Sequence, residues 1–366
     1  MEHSSVKLPV YAKLAQIILG IIGFFYILYI GKDILIPAAL ALVIAILLNP
    51  VVEFLVRKGL NRILSIALAL LLITAISAIV GYFIGSQIAK FSDSLPEFKK
   101  NLTTLEGNIS QWISETFHIS EKKMQAYIAD AKKGVDGSAI LGKTIGALSG
   151  LFVLFILPVY TFLILFYKSL FMEFIAQLFK NGEKDVVAEV LAETKGLVQS
   201  YLVGLSVEAV IVAVLNSMVL LIIGVEYAIL LGLIGALLNL IPYIGGVVAI
   251  ALSVLMAVAT GEPSDALWVL VGYLLVQFVD NNFLVPRIVA SKVKLNAFIS
   301  ILVVLMGGAL WGVTGMFLSI PFTAILKVIF DRVEALKPFG LLLGDEQPDK
   351  PTITLKPKAK SRAKTK

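Results

Sequence analysis

Residues 14–30, 34–56, 63–88 and 148–167 are almost continuously apolar, and several of these runs exceed the roughly 18 residues that suffice to span a bilayer. In hydrocarbon every backbone polar group must find its partner within the protein. Such runs therefore fold as helices. The chain is 58% hydrophobic and only 15% charged, far from the balance of a soluble domain. The expected fold class is all-α, a polytopic helical membrane protein. The N-terminal residues lack a small-residue cleavage site behind a short apolar core, so the first span is expected to be retained.

Taken in order, residues 1–90 read as N-terminal transmembrane helices. Residues 14–30 and 34–56 are expected to form a membrane hairpin about Gly31-Lys32-Asp33, and 63–88 a third span. Arg57, Lys58 and Arg62 place the intervening loop, and with it the N-terminus, in the cytoplasm. Residues 91–147 form a polar external segment, within which Phe98, Leu102, Leu105, Ile109, Trp112 and Ile113 recur at helical spacing. Residues 148–168 are a fourth span that Pro158 is expected to kink. Residues 169–200 are an amphipathic cytoplasmic helix leading directly into the fifth span, and 344–366 a basic, disordered cytoplasmic tail. The tail has no aromatic residue or folded module beside it, so nucleic acid is not an expected partner.

Residues 201–343 hold the informative irregularities. The apolar stretch 227–259 is cut by Asn239, Pro242, Gly245 and Gly246; the stretch 298–329 is cut by Gly307, Gly308, Gly312 and Gly315, with Pro321 beyond. Each is either one long span or two half-helices folded back. If both cross fully, Arg287, Lys292 and Lys294 face outward, against the positive-inside bias; if both are re-entrant, every loop obeys it. The expectation is about six full spans plus two re-entrant or broken helical hairpins, seven or eight spans by hydropathy alone. Close helix packing is the structural alternative for the four glycines after residue 306.

Between the broken units stands the costliest chemistry in the chain. Asp280 follows the apolar run 266–279, flanked by Gln277, Asn281 and Asn282, and Pro286 is expected to interrupt the helix before Arg287. Ionisable groups at such depth face a bundle interior or a wet cavity and mark solute pathways. Glu208, inside the fifth span, lines the same pathway or serves as a structural partner near the interface. Asn239 adds a further neutral oxygen.

These residues resemble the autoinducer-2 exporter family, also called the PerM-like permeases. The resemblance rests on Gly224-Val-Glu-Tyr-Ala-Ile-Leu-Leu-Gly232, on Asn239-Leu-Ile-Pro242-Tyr-Ile-Gly245, on Gln277 with Asp280-Asn281-Asn282 and Pro286, and on Gly312-Val-Thr-Gly315 with Pro321. It extends over about residues 9–343. Leu205 and Asn296-Ala297 depart from the family pattern, which commonly has glutamine and a His-Pro pair at those places. The resemblance implies a secondary transporter or exporter in a prokaryotic inner membrane, forming a homo-oligomer, with a pentamer as the implied size. Its implied cargo is sodium or lithium exchanged for protons, or the quorum-sensing signal autoinducer-2.

The residues themselves are consistent with an antiporter in which protons and a cation compete for the Asp280 carboxylate. Gln277, Asn239, Asn281 and Asn282 supply oxygens that suit a hard cation or the hydroxyls of a small polar molecule. A passive oligomeric channel is the alternative. The chain has no cysteine and two histidines, and it lacks HExxH, GxSxG and Walker motifs. Neither an enzyme, a cofactor nor a metal site is expected.

Overall fold

The computed structural model describes residues 9–117, 147–178, 184–241, 245–260, 263–289 and 295–345. Among them the chain is helical throughout, joined by short turns. By length and composition six helices can cross a membrane, or seven if one bent pair counts as a single span.

Helices α1 (Val10–Ile30) and α2 (Lys32–Arg57) are separated only by Gly31. The Gly31 N–H donates to the Ile27 carbonyl, which closes α1, and the Leu35 N–H donates to the Gly31 carbonyl, which opens α2, both at 2.8 Å. Helix α1 buries none of its residues. Helix α3 (Arg62–Phe117) is a single helix, about 84 Å long at 1.5 Å per residue. The amphipathic helix expected in the polar segment thus continues the third span. His118 and the rest of that segment to residue 146 lie outside the described residues. Helix α4 (Ala147–Phe166) meets α5 (Lys168–Leu178) at a 59° bend beyond Tyr167. Glu53 of α2 receives Lys168 at 3.0 Å and Lys195 at 3.3 Å, tying α2, the α4–α5 bend and the next helix together.

Helix α6 (Lys184–Ile223) is the central strut. Its first half shares an apolar cluster with α2 and with both broken units: Val198, Tyr201, Leu202 and Leu205 pack with Ala39, Val43, Ile241, Val304, Leu318 and Ile320. Its second half leads through Gly224 and the left-handed Tyr227 into α7 (Ala228–Asn239). After a break, α8 (Gly245–Thr260) begins against the end of α7, where a side chain on Gly245 would collide with the Leu238 carbonyl. Further along, Gly235 of α7 faces Ala249 of α8, so the two helices run back along one another. At about 18 and 24 Å, each is shorter than the roughly 30 Å hydrocarbon core. Pro242 falls outside the described residues.

Helix α9 (Pro263–Val279) passes into a π-helical segment, Asp280–Val289. The helix is therefore widened rather than stopped at Pro286, which sits exposed inside the segment. Helix α10 (Ala297–Arg332) would measure about 54 Å if straight, but it leaves helical geometry at Trp311 and Gly312, where Gly312 has φ 61°. Its halves, 297–310 and 313–332, fold back on each other. Side chains on Gly307 or Gly315 would collide with the opposite backbone, and Gly308 faces Met316. A short 3₁₀ turn (Glu334–Leu336) and α11 (Lys337–Leu343) complete the described chain.

Candidate functional site

Three helices place the polar side chains. α6 and α7 run antiparallel, with Gly232 against Ser217 and Gly235 against Asn216, because glycine lets the backbones approach. α9 packs antiparallel on the other flank of α6, with Gly272 against Val219. Beyond it, Gly204 lies against the Ile288 carbonyl, so the widened segment can close on α6 only because Gly204 has no side chain. This register carries Glu208, Asn239 and Asp280 to one level.

There the Asn239 amide nitrogen donates to Asp280 Oδ2 at 2.9 Å and to Glu208 Oε1 at 3.3 Å. Asp280 is 1% exposed and Glu208 5%. Both carboxyl groups thus share one neutral donor. The remaining oxygens, Glu208 Oε2 and Asp280 Oδ1, are buried without a donor. Among the described residues no salt bridge reaches either acid. Two buried acids sharing one neutral donor are costly to leave both charged and unpaired, so chemically such a pair can take up a proton or a cation.

Not all the sequence candidates join them. Gln277 is half-buried and lies against Gly246 at the start of α8, where a Cβ would stand 3.1 Å from its Oε1. Asn281 and Asn282 are exposed on the chain's surface, and the Asn282 amide donates to the Phe278 carbonyl of its own helix at 2.8 Å. Arg287 is exposed and lies 5.9 Å from the Phe283 ring. Of the break residues, Gly245 and Gly246 sit at the α7–α8 return, while Gly307, Gly308, Gly312 and Gly315 form the fold-back of α10.

Sequence reasoning missed the buried Asn216 of α6 and Tyr273 of α9, and the buried Ser253 of α8. The signal for Asn216 and Tyr273 was present as polar residues two turns from Glu208 and Asp280; Ser253, on another helix, had none. Asn296, one of the two departures from the family pattern, caps α10 by accepting from Ile299 N at 2.9 Å and clasps the C-terminal helix through Leu342 O at 2.7 Å. Leu205, the other, is buried in the central apolar cluster.

Known proteins of similar sequence carry transport names. The AI-2 transport protein TqsA of Escherichia coli (strain K12) is 26% identical over 316 residues, covering 86% of this chain and 90% of that protein. The putative transport protein YhhT of the same strain is 26% identical over 338 residues, covering 92% and 94%. YueF of Bacillus subtilis (strain 168), also a putative transport protein, is 24% identical over 314 residues, covering 82% and 84%. With residues 17–335 matching the model of the AI-2E family transporters, the chain belongs to that family, and it is a multi-pass membrane transport protein rather than an enzyme.

Proposed function

We propose that the chain is a secondary transporter in which Glu208 and Asp280 couple proton movement to that of a cation or a small polar solute. The observation that carries this reading is the buried acid pair on one shared amide, with an oxygen of each carboxyl left without a donor. A scaffold could have filled the same space with apolar side chains at no desolvation cost. A group alternately holding a proton and a cargo needs an empty acceptor in each half of its cycle. Sodium and lithium suit such oxygens, and so do the hydroxyls of a signal molecule of the kind named for TqsA.

The paired half-helices support the topology that goes with this reading. Hairpins α7–α8 and the folded α10 enter from opposite sides of a prokaryotic cytoplasmic membrane as re-entrant elements, with both termini in the cytoplasm. In an inverted-repeat transporter such broken helices meet around the site at membrane depth. The functional unit is a homo-oligomer, and the exposed α1 is available at its margin.

The test is proton flux in proteoliposomes under an imposed pH gradient, with sodium, lithium, potassium or autoinducer-2 added in turn. Saturable flux with one cargo, falling to the protein-free background in Asp280→Asn and Glu208→Gln, is expected. Unsaturable current that survives both substitutions would replace the coupled transporter with a passive oligomeric channel.

A further inference from the structure

Two helical turns from the acid pair, the same helices hold a second buried polar group. Asn216 of α6 is 3% exposed and its Oδ1 has no hydrogen-bond partner. Tyr273 of α9 is 2% exposed and accepts from the Ser253 hydroxyl of α8 at 2.8 Å, leaving its own O–H proton to donate. Both side chains converge on Gly235 of α7. The point where a Cβ would stand there is 3.1 Å from the Tyr273 hydroxyl and 3.3 Å from the Asn216 amide nitrogen. Four helices thus meet at a level that could have been sealed with methyl groups.

The two levels are joined along α9. Tyr273, Gln277 and Asp280 recur at steps of four and three, so they form one polar stripe about 10 Å long on a helix otherwise apolar. Gln277 stands between the levels, its carboxamide against Gly246. On α6 the corresponding step from Glu208 to Asn216 is eight residues, about 12 Å, with the buried Val212 between them. Hydroxyl and carboxamide groups both donate and accept, and water bridges such groups when the site is polar.

We propose that Ser253, Tyr273 and Asn216, continued by Gln277, form a proton pathway linking the acid pair to the membrane face that bears the 224–227 turn. The inference rests on the proposed coupling role of Glu208 and Asp280. The direction follows from the fold. Asn216 and Tyr273 lie toward the end of α6 at Ile223 and the start of α9 at Pro263, whereas Arg287 and Lys195 lie toward the other end. The titratable groups around the pair are few. Tyr201 lies on α6 itself, Tyr273 and Arg287 are on α9 and its π-helical extension, and α7 and α8 contribute none. α2 and α10 meet α6 through the apolar cluster around Leu202 and, nearer the start of α6, through the Glu53–Lys195 pair and the pairs of Arg332 with Glu189 and Glu193.

The experiment follows the carboxyl bands of oriented proteoliposomes by infrared difference spectroscopy after a pH jump on one side at a time, without cargo. In Tyr273→Phe and Ser253→Ala, proton exchange after a jump on the 224–227 side is expected to slow about tenfold. Exchange after a jump on the opposite side and the equilibrium band amplitude stay as in the wild type, and Ser253→Thr restores the fast rate. Unchanged rates, or equal slowing from both sides, would overturn the pathway while leaving the acid pair in place. A wild type whose carboxyl bands do not respond to pH from either side would remove the coupling role, and the pathway with it. Infrared amide bands in the same samples establish that each variant is folded.

Discussion

Asn239 donates to two acids at once, so its loss strands both. Replacing it with leucine leaves two buried carboxyl groups without their common donor, which should cost about 2–3 kcal/mol, measured as a fall in thermal stability of the detergent-solubilised protein. The companion variant Asn239→Leu with Asp280→Asn restores a neutral donor beside Glu208. Its loss should be smaller than that of the single variant, and such non-additivity is the signature of a shared network. Two additive losses would show instead that the three groups are merely neighbours. Asn281 and Asn282 are exposed, so alanine at either place is expected to leave thermal stability unchanged within about 0.5 kcal/mol.

At the scale of the element, the glycines fall into different physical classes that composition does not reveal. Gly204 and Gly245 are pressed against the carbonyls of Ile288 and Leu238, and an alanine at either must displace backbone, at a cost of about 1–3 kcal/mol. Gly312 has open space around it, but its φ of 61° makes it the fold-back point of α10, and Gly312→Ala should also cost about 1–3 kcal/mol. Gly81, in the middle of α3, has nothing within 4 Å, so Gly81→Ala should stabilise by about 0.5–1 kcal/mol through helix propensity. Thermal unfolding of the four variants checks the set. A destabilising Gly81→Ala, or a neutral Gly204→Ala, would contradict the close approaches described.

Across the whole molecule, the two fold-backs converge on α6. Ile241, at the end of α7, and Ile320, in the second half of α10, belong to one apolar cluster with Leu202 and Leu205. The Trp311 indole at the α10 fold-back donates to the Leu28 carbonyl of α1 at 2.9 Å, which anchors an otherwise exposed helix. Because the chain has no cysteine, topology is open to single-cysteine labelling. Cysteine at position 264 is expected to react from outside and cysteine at 291 from inside; the reverse would mean that both broken units cross the membrane fully.

The helical class, the membrane setting and the breaks before Gly245 and at Gly312 were legible in the sequence, because lipid tolerates no unpaired backbone and glycine marks where pairing stops; the expected stop at Pro286 was not borne out. Asp280 was legible too, as a charge in an apolar run. Glu208 and Asn239 were legible as candidates for the same pathway, but their contact with Asp280 was not: they lie 72 and 41 residues before it, and only antiparallel packing on glycine surfaces brings them to its level. Nor could the run Asp280-Asn281-Asn282 disclose that one of its members is buried and two are exposed. Successive residues on a helix point about 100° apart, and the widening to a π-helix at Asp280 resets that phase. Local chemistry determined which residues are costly in a membrane; tertiary register decided which of them share that cost.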